Sequence, residues 1–391
     1  MATSSTTYSN SYRLPDSAPI ERIILHHIAM PLVEALVTSF GGDAFRPAVL
    51  VELHLDGVVG WGEVVAGWYP GYSYETIGTA THVLRDYLIP AVIGKTNLDA
   101  VHQFRGHPMA NMALEAAYWS AVAQSQGVPF GNLLGEGRKA RVEVGVSIGI
   151  QPGIDATLAV IQKRLDEGYR RVKLKIKPGW DIEMLRAVRQ AYPTITLMAD
   201  ANSAYTMDDL PLLRQIDELN LLMIEQPFAH DDIYQHSKLQ PQLHTPICLD
   251  ESIRNVDDAR LAIEVGAGKI INLKPARVGG ITESLKLHAY CYEAGVPLWI
   301  GGMLETGIGR AANLAIASLP GVTLPSDISA TNRYYDPDIT NEVFTLNRED
   351  STITVPTDVG LGVSINPAEL VRAELAFTEV AKSEFLAPER S

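Results

Sequence analysis

A charged residue ends each of five successive apolar runs in the middle of the chain. These residues are Lys175, Asp200, Glu225, Asp250 and Lys274, and the intervals between them are 25, 25, 25 and 24 residues. Short apolar runs separated by about one helix of chain are typical of βα units whose parallel strands are buried on both faces. The regular interval therefore predicts five neighbouring strands in one register, with their charged residues at the same edge of the sheet.

Three further apolar runs extend this pattern to eight strand candidates. They are VEVGVSIGI (142–150), RVKLKIK (171–177), ITLMAD (195–200), LLMIEQP (221–227), PICLDES (246–252), IINLKPA (270–276), PLWIGGM (297–303) and VTLPSDI (322–328). Eight such units predict an α/β fold of the (β/α)8 barrel type, whose active sites lie at the C-terminal ends of the strands. The strand RVKLKIK alternates apolar and basic residues, so Lys173, Lys175 and Lys177 share one face. We expect Lys177 to turn to solvent, because Pro178 and Gly179 follow it.

The flanking regions have a different texture. Residues 1–18 are rich in Ser and Thr and predict a disordered tail. Residues 19–141 combine apolar alternation, which predicts an antiparallel meander, with helical spacing, and so form an α+β unit. The barrel is expected at 142–330. Residues 331–391 are expected to return to the N-terminal unit through a closing helix in PAELVRAELAFTEVAKSEF.

Composition narrows the class of partner. The net charge of −14, from 32 basic and 46 acidic residues, argues against nucleic acid and anionic membranes. No apolar run approaches the roughly 20 residues of a membrane-spanning helix. The two cysteines, Cys248 and Cys291, are too few for a disulfide framework and lack the spacing of a zinc site. With no secretory signal at the N-terminus, we expect a cytoplasmic protein.

The charged strand ends suggest metal chemistry. Each aspartate alone could be a helix N-cap, but a row of N-caps does not explain two lysines in the same row. Three carboxylates in a partly dry cavity repel one another, and a hard divalent cation such as Mg²⁺, with Mn²⁺ as an alternative, would relieve that repulsion. A lysine beside such a cation should have a lowered pKa and could act as a general base.

Five motifs carry a resemblance to a known family. They are the Lys173/Lys175 pair, D-A-N at Asp200–Asn202, E-Q-P at Glu225–Pro227, D-E-S at Asp250–Ser252, and Lys274 in NLKPARVGG. Together with GGMLETGIGRAAN they resemble the muconate-lactonizing subgroup of the enolase superfamily. Within it, roughly residues 20–375 are similar to the o-succinylbenzoate synthase / N-succinylamino acid racemase family. This resemblance implies a (β/α)7β-type TIM barrel with an α+β capping domain formed by the N-terminal region and the C-terminal tail.

The resemblance also implies roles for individual residues. Asp200, Glu225 and Asp250 would bind the metal, Lys175 and Lys274 would be the acid/base pair, and Lys173 would lower the pKa of Lys175. The expected substrate-binding residues are Phe40, Tyr72, Ser147, Asn202, Gly302, Met303 and Leu304. For Phe40 and Tyr72, simple packing is an open alternative. A small-molecule carboxylate substrate and a homo-oligomer are also expected.

The reaction itself is left open by the residue types. Two opposed lysines suit racemisation of N-succinylamino acids through a metal-stabilised enediolate, and the same site suits the dehydration that forms o-succinylbenzoate. Arg277 favours the racemase, because in the family an arginine here accompanies that activity; its alternative is a surface residue capping a helix. Dipeptide epimerase and muconate cycloisomerase fit GGMLETG less well. A Schiff-base aldolase and a non-catalytic binding protein are alternatives from other classes.

Overall fold

The computed structural model describes residues 16–34 and 44–381. Most of the predicted tail at 1–18, the loop residue Phe40 and the last residues of the chain therefore lie outside the described residues. In chain order, the strands and helices are β1 (Ile20–Pro31), β2 (Phe45–Leu55), β3 (Val58–Val64), α1 (Ile77–Val83), α2 (Ile89–Val92), α3 (Pro108–Ser125), β4 (Arg141–Glu143), β5 (Val146–Ile148), α4 (Ile154–Glu167), β6 (Arg171–Lys175), α5 (Ile182–Ala191), β7 (Thr196–Asp200), α6 (Leu210–Asp217), β8 (Ile224–Glu225), α7 (Ile233–Leu239), β9 (Ile247–Leu249), α8 (Val256–Glu264), β10 (Ile270–Leu273), α9 (Pro275–Val278), α10 (Ile281–Glu293), β11 (Leu298–Ile300), α11 (Gly307–Ala317), β12 (Thr352–Thr354), α12 (Pro367–Ala373) and β13 (Glu374–Ala381).

The N-terminal unit is a four-stranded antiparallel sheet covered by α3. The strand order is β13-β1-β2-β3, so the C-terminal strand lies beside the first strand of the chain. The predicted meander is confirmed as β1 to β3. The predicted closing helix is wrong in its second half, because the chain leaves α12 and forms β13. The segment contains Phe377, Thr378 and Val380, residue types that favour strands, and it pairs along the edge of β1.

The second unit is the predicted parallel sheet. Strands β5 to β11 follow one another in sequence order across it. The eighth strand candidate does not form a regular strand in the described part of the chain. It makes two isolated parallel bridges instead, Val322 with Leu298 and Ser326 with Val144. Pro325 between them has no N–H to donate, which accounts for the interrupted ladder. The segment nevertheless joins both edges of the sheet and closes the barrel.

The register differs from the prediction of one common row. Lys175 pairs with Asp200, and Asp200 pairs with Glu225, as expected. Glu225 then pairs with Cys248, so Asp250 lies two residues further along the chain, directly after β9. A shift of two residues keeps a side chain on the same face of a strand, so the charged row still points inward. The charged residues therefore do not lie at one level of the barrel, because Asp250 is two residues closer to the barrel mouth than Glu225.

A layer of apolar side chains lies beneath this charged row. Met198, Met223 and Cys248 each precede a carboxylate of the row by two residues, and together with Ile270 and Trp299 they form a separate buried cluster. Stacked layers of inward side chains are the usual filling of such barrels. The charged residues therefore lie directly above a layer of buried, apolar side chains.

Capping residues set where the helices begin and end. Asn255 accepts a hydrogen bond from Asp258 N at 2.9 Å and so caps α8. Gly168, at φ 109°, ends α4 in the left-handed conformation. Among the described helices, none combines the length and the apolar character that crossing a membrane requires.

Candidate active site

Lys175 ends β6 in contact with the D-A-N motif. Its Nζ lies 2.6 Å from Asp200 Oδ2 and donates to Asn202 Oδ1 at 2.7 Å. Asn202 has a positive φ of 42°, a conformation that asparagine adopts more readily than most residues. This turn brings the amide back over the strand end. The structure thus brings together Lys175, Asp200 and Asn202, which the sequence had grouped.

Lys173 lies deeper in the barrel and is surrounded by carboxylates. Its Nζ is 2.6 Å from Asp327, 3.1 Å from Glu225 and 3.2 Å from Asp200. Burial by itself would lower the pKa of Lys173, but Asp327, Glu225 and Asp200 together raise it above its usual value. Lys173 is therefore a fixed positive charge on the cavity floor.

Lys274 approaches the cavity from the other side, directly after β10. Its Nζ lies 2.8 Å from Asp250 Oδ2, 3.0 Å from Tyr72 Oη and 4.5 Å from the centre of the Tyr72 ring. Burial disfavours the ammonium form, but Tyr72, Glu251 and Glu225 outweigh burial and raise the pKa.

Arg277 is a buried partner of the same aspartate, and the alternative of a surface residue is wrong. Only 5% of its side chain is exposed, and its Nη1 contacts Asp250 Oδ1. The other guanidinium nitrogens donate to main-chain carbonyls, Nε to Ile253 at 2.7 Å and Nη2 to Asn272. Arg277 therefore reaches Lys274 through the shared carboxylate of Asp250.

One cavity at the barrel mouth joins these groups. The three lysines Lys173, Lys175 and Lys274 line it from the barrel. Seven residues were expected to bind substrate, and Phe40 lies outside the described residues. The other six all line the cavity: Tyr72, Ser147, Asn202, Gly302, Met303 and Leu304. Tyr72 is not simply packed, because its hydroxyl donates to Asp250 Oδ1 at 3.2 Å. Lys177 is exposed, as expected.

Comparison with known proteins decides the family. The profile described as mandelate racemase / muconate lactonizing enzyme, N-terminal domain, matches residues 22–135, and the profile described as enolase C-terminal domain-like matches residues 156–369. An N-succinylamino acid racemase of Thermus thermophilus is 49% identical over 352 residues, which cover 88% of this chain and 95% of that protein. The chain belongs to the o-succinylbenzoate synthase / N-succinylamino acid racemase family of the enolase superfamily.

Two further relatives agree with this placement. An o-succinylbenzoate synthase of Geobacillus kaustophilus is 47% identical, with 93% of this chain and 97% of that protein covered. The crystal structure of an enolase superfamily member from Listeria innocua superimposes with a TM-score of 0.88 at 38% identity, covering 93% of this chain and 99% of that one. Of the relatives named here, one is thus called a racemase and another a synthase.

The carboxylates of the family site have the chemistry of a metal centre. As they stand, no three acidic, histidine or cysteine side chains within residues 16–34 and 44–381 converge closely enough to hold a metal. Lysines contact one oxygen of each of Asp200, Glu225 and Asp250. Glu251 Oε2, however, is buried without a hydrogen-bond partner in the described residues. Burial is the main cause that raises the pKa of Glu225 and of Glu251, and neighbouring Asp200 raises both further. Four neighbouring carboxylates, which offer only oxygen donors and an excess of negative charge, have the chemistry that binds a hard divalent cation.

Sequence reasoning missed two acidic residues of the site, Asp327 and Glu251. Asp327 accepts from Ser147 Oγ at 2.7 Å and pairs with Lys173 and Arg171. Its signal was available, since Asp327 lies in the eighth apolar run, VTLPSDI. Glu251 was part of the D-E-S motif but had no predicted role, although it accepts from Asn202 Nδ2 at 3.0 Å.

Proposed function

We propose that this chain is a divalent-metal-dependent N-succinylamino acid racemase that also forms o-succinylbenzoate in the same site. One observation carries the proposal. Lys175 and Lys274 line the same cavity from β6 and from the end of β10, with three strands of the barrel between them. Two amines that approach one cavity from different sides suit a reaction that removes a proton from one face of a carbon and returns it to the other.

The proton transfers follow from this placement. Lys175, as the free amine, would take the α-proton from one enantiomer, and Lys274, as ammonium, would supply a proton to the opposite face. The roles exchange for the other enantiomer. Asp200 and Asn202 hold the Nζ of Lys175, while Asp250 and Tyr72 hold the Nζ of Lys274, so each amine has a defined position. Lys173 would hold the substrate carboxylate by charge.

Asp200, Glu225 and Asp250 are the residues that would hold the cation, which we propose is Mg²⁺ because every donor is a carboxylate oxygen. A bound cation would supply positive charge for the carboxylate oxygens of the substrate as the α-proton leaves. Asn272 Nδ2 donates to Glu225 Oε1 at 2.7 Å and so orients this carboxylate.

The o-succinylbenzoate synthase reaction is the second candidate for the main role. It needs one lysine as acid and base, with the other lysine as a cation, so the same geometry permits it. The name of the Geobacillus kaustophilus relative favours it. Arg277, buried against Asp250 beside Lys274, is the feature that inclines our proposal toward the racemase.

The remaining alternatives fit this site less well. A dipeptide epimerase would need an acidic pair for the substrate ammonium, whereas GGMLETG supplies only Glu305, whose Oε1 accepts from Met303 N at 2.9 Å. Muconate cycloisomerase, a Schiff-base aldolase and a non-catalytic binding protein remain the less favoured interpretations. Borohydride trapping with a carbonyl substrate would support the aldolase.

A side-by-side assay tests the proposal. The kcat/KM for racemisation of N-succinylamino acids is compared with the kcat/KM for o-succinylbenzoate formation, with Mg²⁺, after chelation, and after Mg²⁺ is restored. We expect both activities to be lost on chelation and regained with Mg²⁺, and racemisation to have the higher kcat/KM. Lys175→Ala should abolish racemisation. Racemisation that survives in this variant or in the chelated protein would refute the proposal.

A further inference from the structure

Arg46 is a cationic wall residue of the cavity that the proton-transfer chemistry does not use. It is the second residue of β2 and pairs with Met30 of β1. It therefore belongs to the N-terminal unit, whereas Lys173, Lys175 and Lys274 belong to the barrel. All four side chains line the same cavity.

The four cations differ in how their charge is balanced. Each lysine Nζ lies between 2.6 and 3.2 Å from at least one carboxylate oxygen. Arg46 instead donates through Nη2 to the main-chain carbonyl of Val65. Within residues 16–34 and 44–381, no carboxylate forms an ion pair with it, and its Nε is buried without an acceptor.

Such an arrangement is costly for the free protein. A guanidinium stays charged at any pH that a protein tolerates, and a buried donor without an acceptor destabilises the folded state. The planar fork of arginine matches the geometry of a carboxylate or a phosphate. An anionic group of a ligand would therefore complete the wall at Arg46.

The acidic residues of the cavity wall have other partners. Glu75 accepts from Met109 N at 2.8 Å and from Ala110 N at 3.2 Å, which ties it to the start of α3. Asp327 is paired with Lys173. Since neither of these two described carboxylates forms an ion pair with Arg46, the wall at Arg46 has a net positive charge.

We propose that Arg46 binds the distal carboxylate of the substrate's acyl group and is the residue that selects N-succinyl over uncharged N-acyl substrates. The inference rests on the proposed function, which supplies a substrate with two carboxylates. The first carboxylate, on the reacting carbon, belongs with the lysines of the barrel. The second ends the succinyl chain and would meet Arg46 on the wall that the N-terminal unit contributes. Arg46 is thus a specificity residue.

Binding of two achiral probes tests the inference. N-succinylglycine and N-acetylglycine are titrated by calorimetry, with Mg²⁺ present, into the wild type, Arg46→Gln and Arg22→Gln. Glycine has no enantiomers, so no net reaction disturbs the titration. Arg22 is the matched control, because it lies on β1, is 43% exposed and pairs with Glu379 outside the cavity.

We expect the wild type to prefer N-succinylglycine. Arg46→Gln should weaken binding of N-succinylglycine about 10- to 100-fold, as the loss of a charged hydrogen bond does, and should leave N-acetylglycine within about 3-fold, whereas Arg22→Gln should match the wild type. Arg46→Lys keeps the charge without the fork; it should lose part of the preference and provides a second measurement if Arg46→Gln does not fold.

Three results would overturn the inference: no succinyl preference in the wild type, a preference that survives in Arg46→Gln, or an equal loss for both probes. Failure of the proposed function would be seen separately, as a wild type that binds these probes but does not interconvert the enantiomers of an N-succinylamino acid.

Discussion

At the scale of single residues, the site depends on carboxylates that each have two cationic neighbours. Asp250 lies between Lys274 and Arg277, and Asp200 lies between Lys173 and Lys175. Burial alone would raise the pKa of Asp200, but Lys175 and Lys173 outweigh burial and lower it. Removal of one cation would therefore leave a buried charge poorly compensated.

Arg277→Met tests this dependence. The change leaves Asp250 with Lys274 as its only cationic partner among the described residues and leaves the carbonyls of Ile253 and Asn272 without their donor. Breaking a buried ion pair in this way typically costs about 3–5 kcal/mol, and we expect the free energy of unfolding in urea to fall by that amount. Arg254→Met is the control, since Arg254 is 54% exposed and pairs with Asp258 on the surface. Its cost should stay below about 1 kcal/mol. Equal stability of the two variants would contradict the account.

The residues of the site were predictable from sequence to different degrees. Lys175, Asp200 and Glu225 follow from the interval of 25 residues, because a periodic βα chain repeats its strand ends. Glu251 and Arg46 do not follow from any interval. Glu251 lies one residue after the periodic position, and Arg46 belongs to a strand of the N-terminal unit, so only the folded chain brings them to the cavity.

At the scale of elements, β3 contacts α3 through two glycines. A Cβ on Gly62 would lie 1.9 Å from Ala113 O, and a Cβ on Gly60 would lie 2.0 Å from Ala117 O. Both distances are far inside van der Waals contact with backbone atoms of a helix, which cannot move alone. The sheet and the helix can therefore meet at this distance only with glycine at both positions.

Gly62→Ala should accordingly destabilise the N-terminal unit. Overpacking of a tight contact costs about 1–3 kcal/mol, and more where backbone must move, so we expect a lower midpoint of thermal unfolding. Gly153→Ala is the matched control, because a Cβ there meets no atom within 4 Å and the residue has extended backbone. If both variants unfold at the same temperature, the close approach of β3 to α3 is not as described.

A histidine links β1 to both of its neighbouring strands. His26 Nδ1 lies 2.6 Å from Glu374 of β13, and its Nε2 lies 2.7 Å from Glu52 of β2. Burial by itself would lower the pKa of His26, but the hydrogen bonds and charges of Glu52 and Glu374 outweigh burial and raise it above 6.5. Protonated His26 therefore stabilises the docking of β13.

This link makes the stability of β13 depend on pH. Because the folded pKa exceeds the unfolded value of 6.5, the stabilisation is complete below pH 6.5 and is lost as the pH rises through the folded pKa. We expect amide hydrogen exchange in β13 to accelerate over that range by more than the ordinary pH effect. His26→Gln should remove this extra acceleration, whereas His244→Gln, at an exposed position, should not. An unchanged profile in His26→Gln would rule out the histidine as its cause.

The elements were predictable wherever local periodicity decides them. The β1–β3 meander and seven of the eight barrel strands follow from alternation and apolar runs. The C-terminal segment was not, because LAFTEVA follows directly on the helical AELVRA, and its strand conformation is decided by the open edge of β1 more than 340 residues earlier. In the eighth run, Pro325 interrupts a strand that the apolar pattern alone would continue.

At the scale of the whole molecule, the cavity lies between the N-terminal unit and the barrel mouth. Tyr72, Glu75 and Arg46 come from the N-terminal unit, and the three lysines and Asp327 come from the barrel. Glu63, at the end of the sheet, accepts from Thr306 N at 3.0 Å and Gly309 N at 3.0 Å and so fastens β3 to the start of α11. The cavity-lining side chains of both units therefore have a fixed mutual position.

Metal binding should stabilise the molecule as a whole. A ligand that binds only the folded state at 100 times its Kd adds about 2.7 kcal/mol, so we expect Mg²⁺ to raise the midpoint of thermal unfolding and chelation to reverse the rise. Glu225→Gln should lose most of this response, and Asp257→Asn, which is 73% exposed, should keep it. A response of equal size in Glu225→Gln would place the cation elsewhere.

Hydrogen exchange at the substrate α-carbon tests the central claim, that Lys175 and Lys274 act on opposite faces of one carbon. The measurement uses the holoenzyme in D₂O, with each enantiomer of an N-succinylamino acid supplied separately to the wild type and to Lys274→Ala. We expect the wild type to exchange the α-proton of both enantiomers, and Lys274→Ala to exchange one enantiomer through Lys175 and no longer exchange the other. Normal exchange of both enantiomers by Lys274→Ala would contradict this claim.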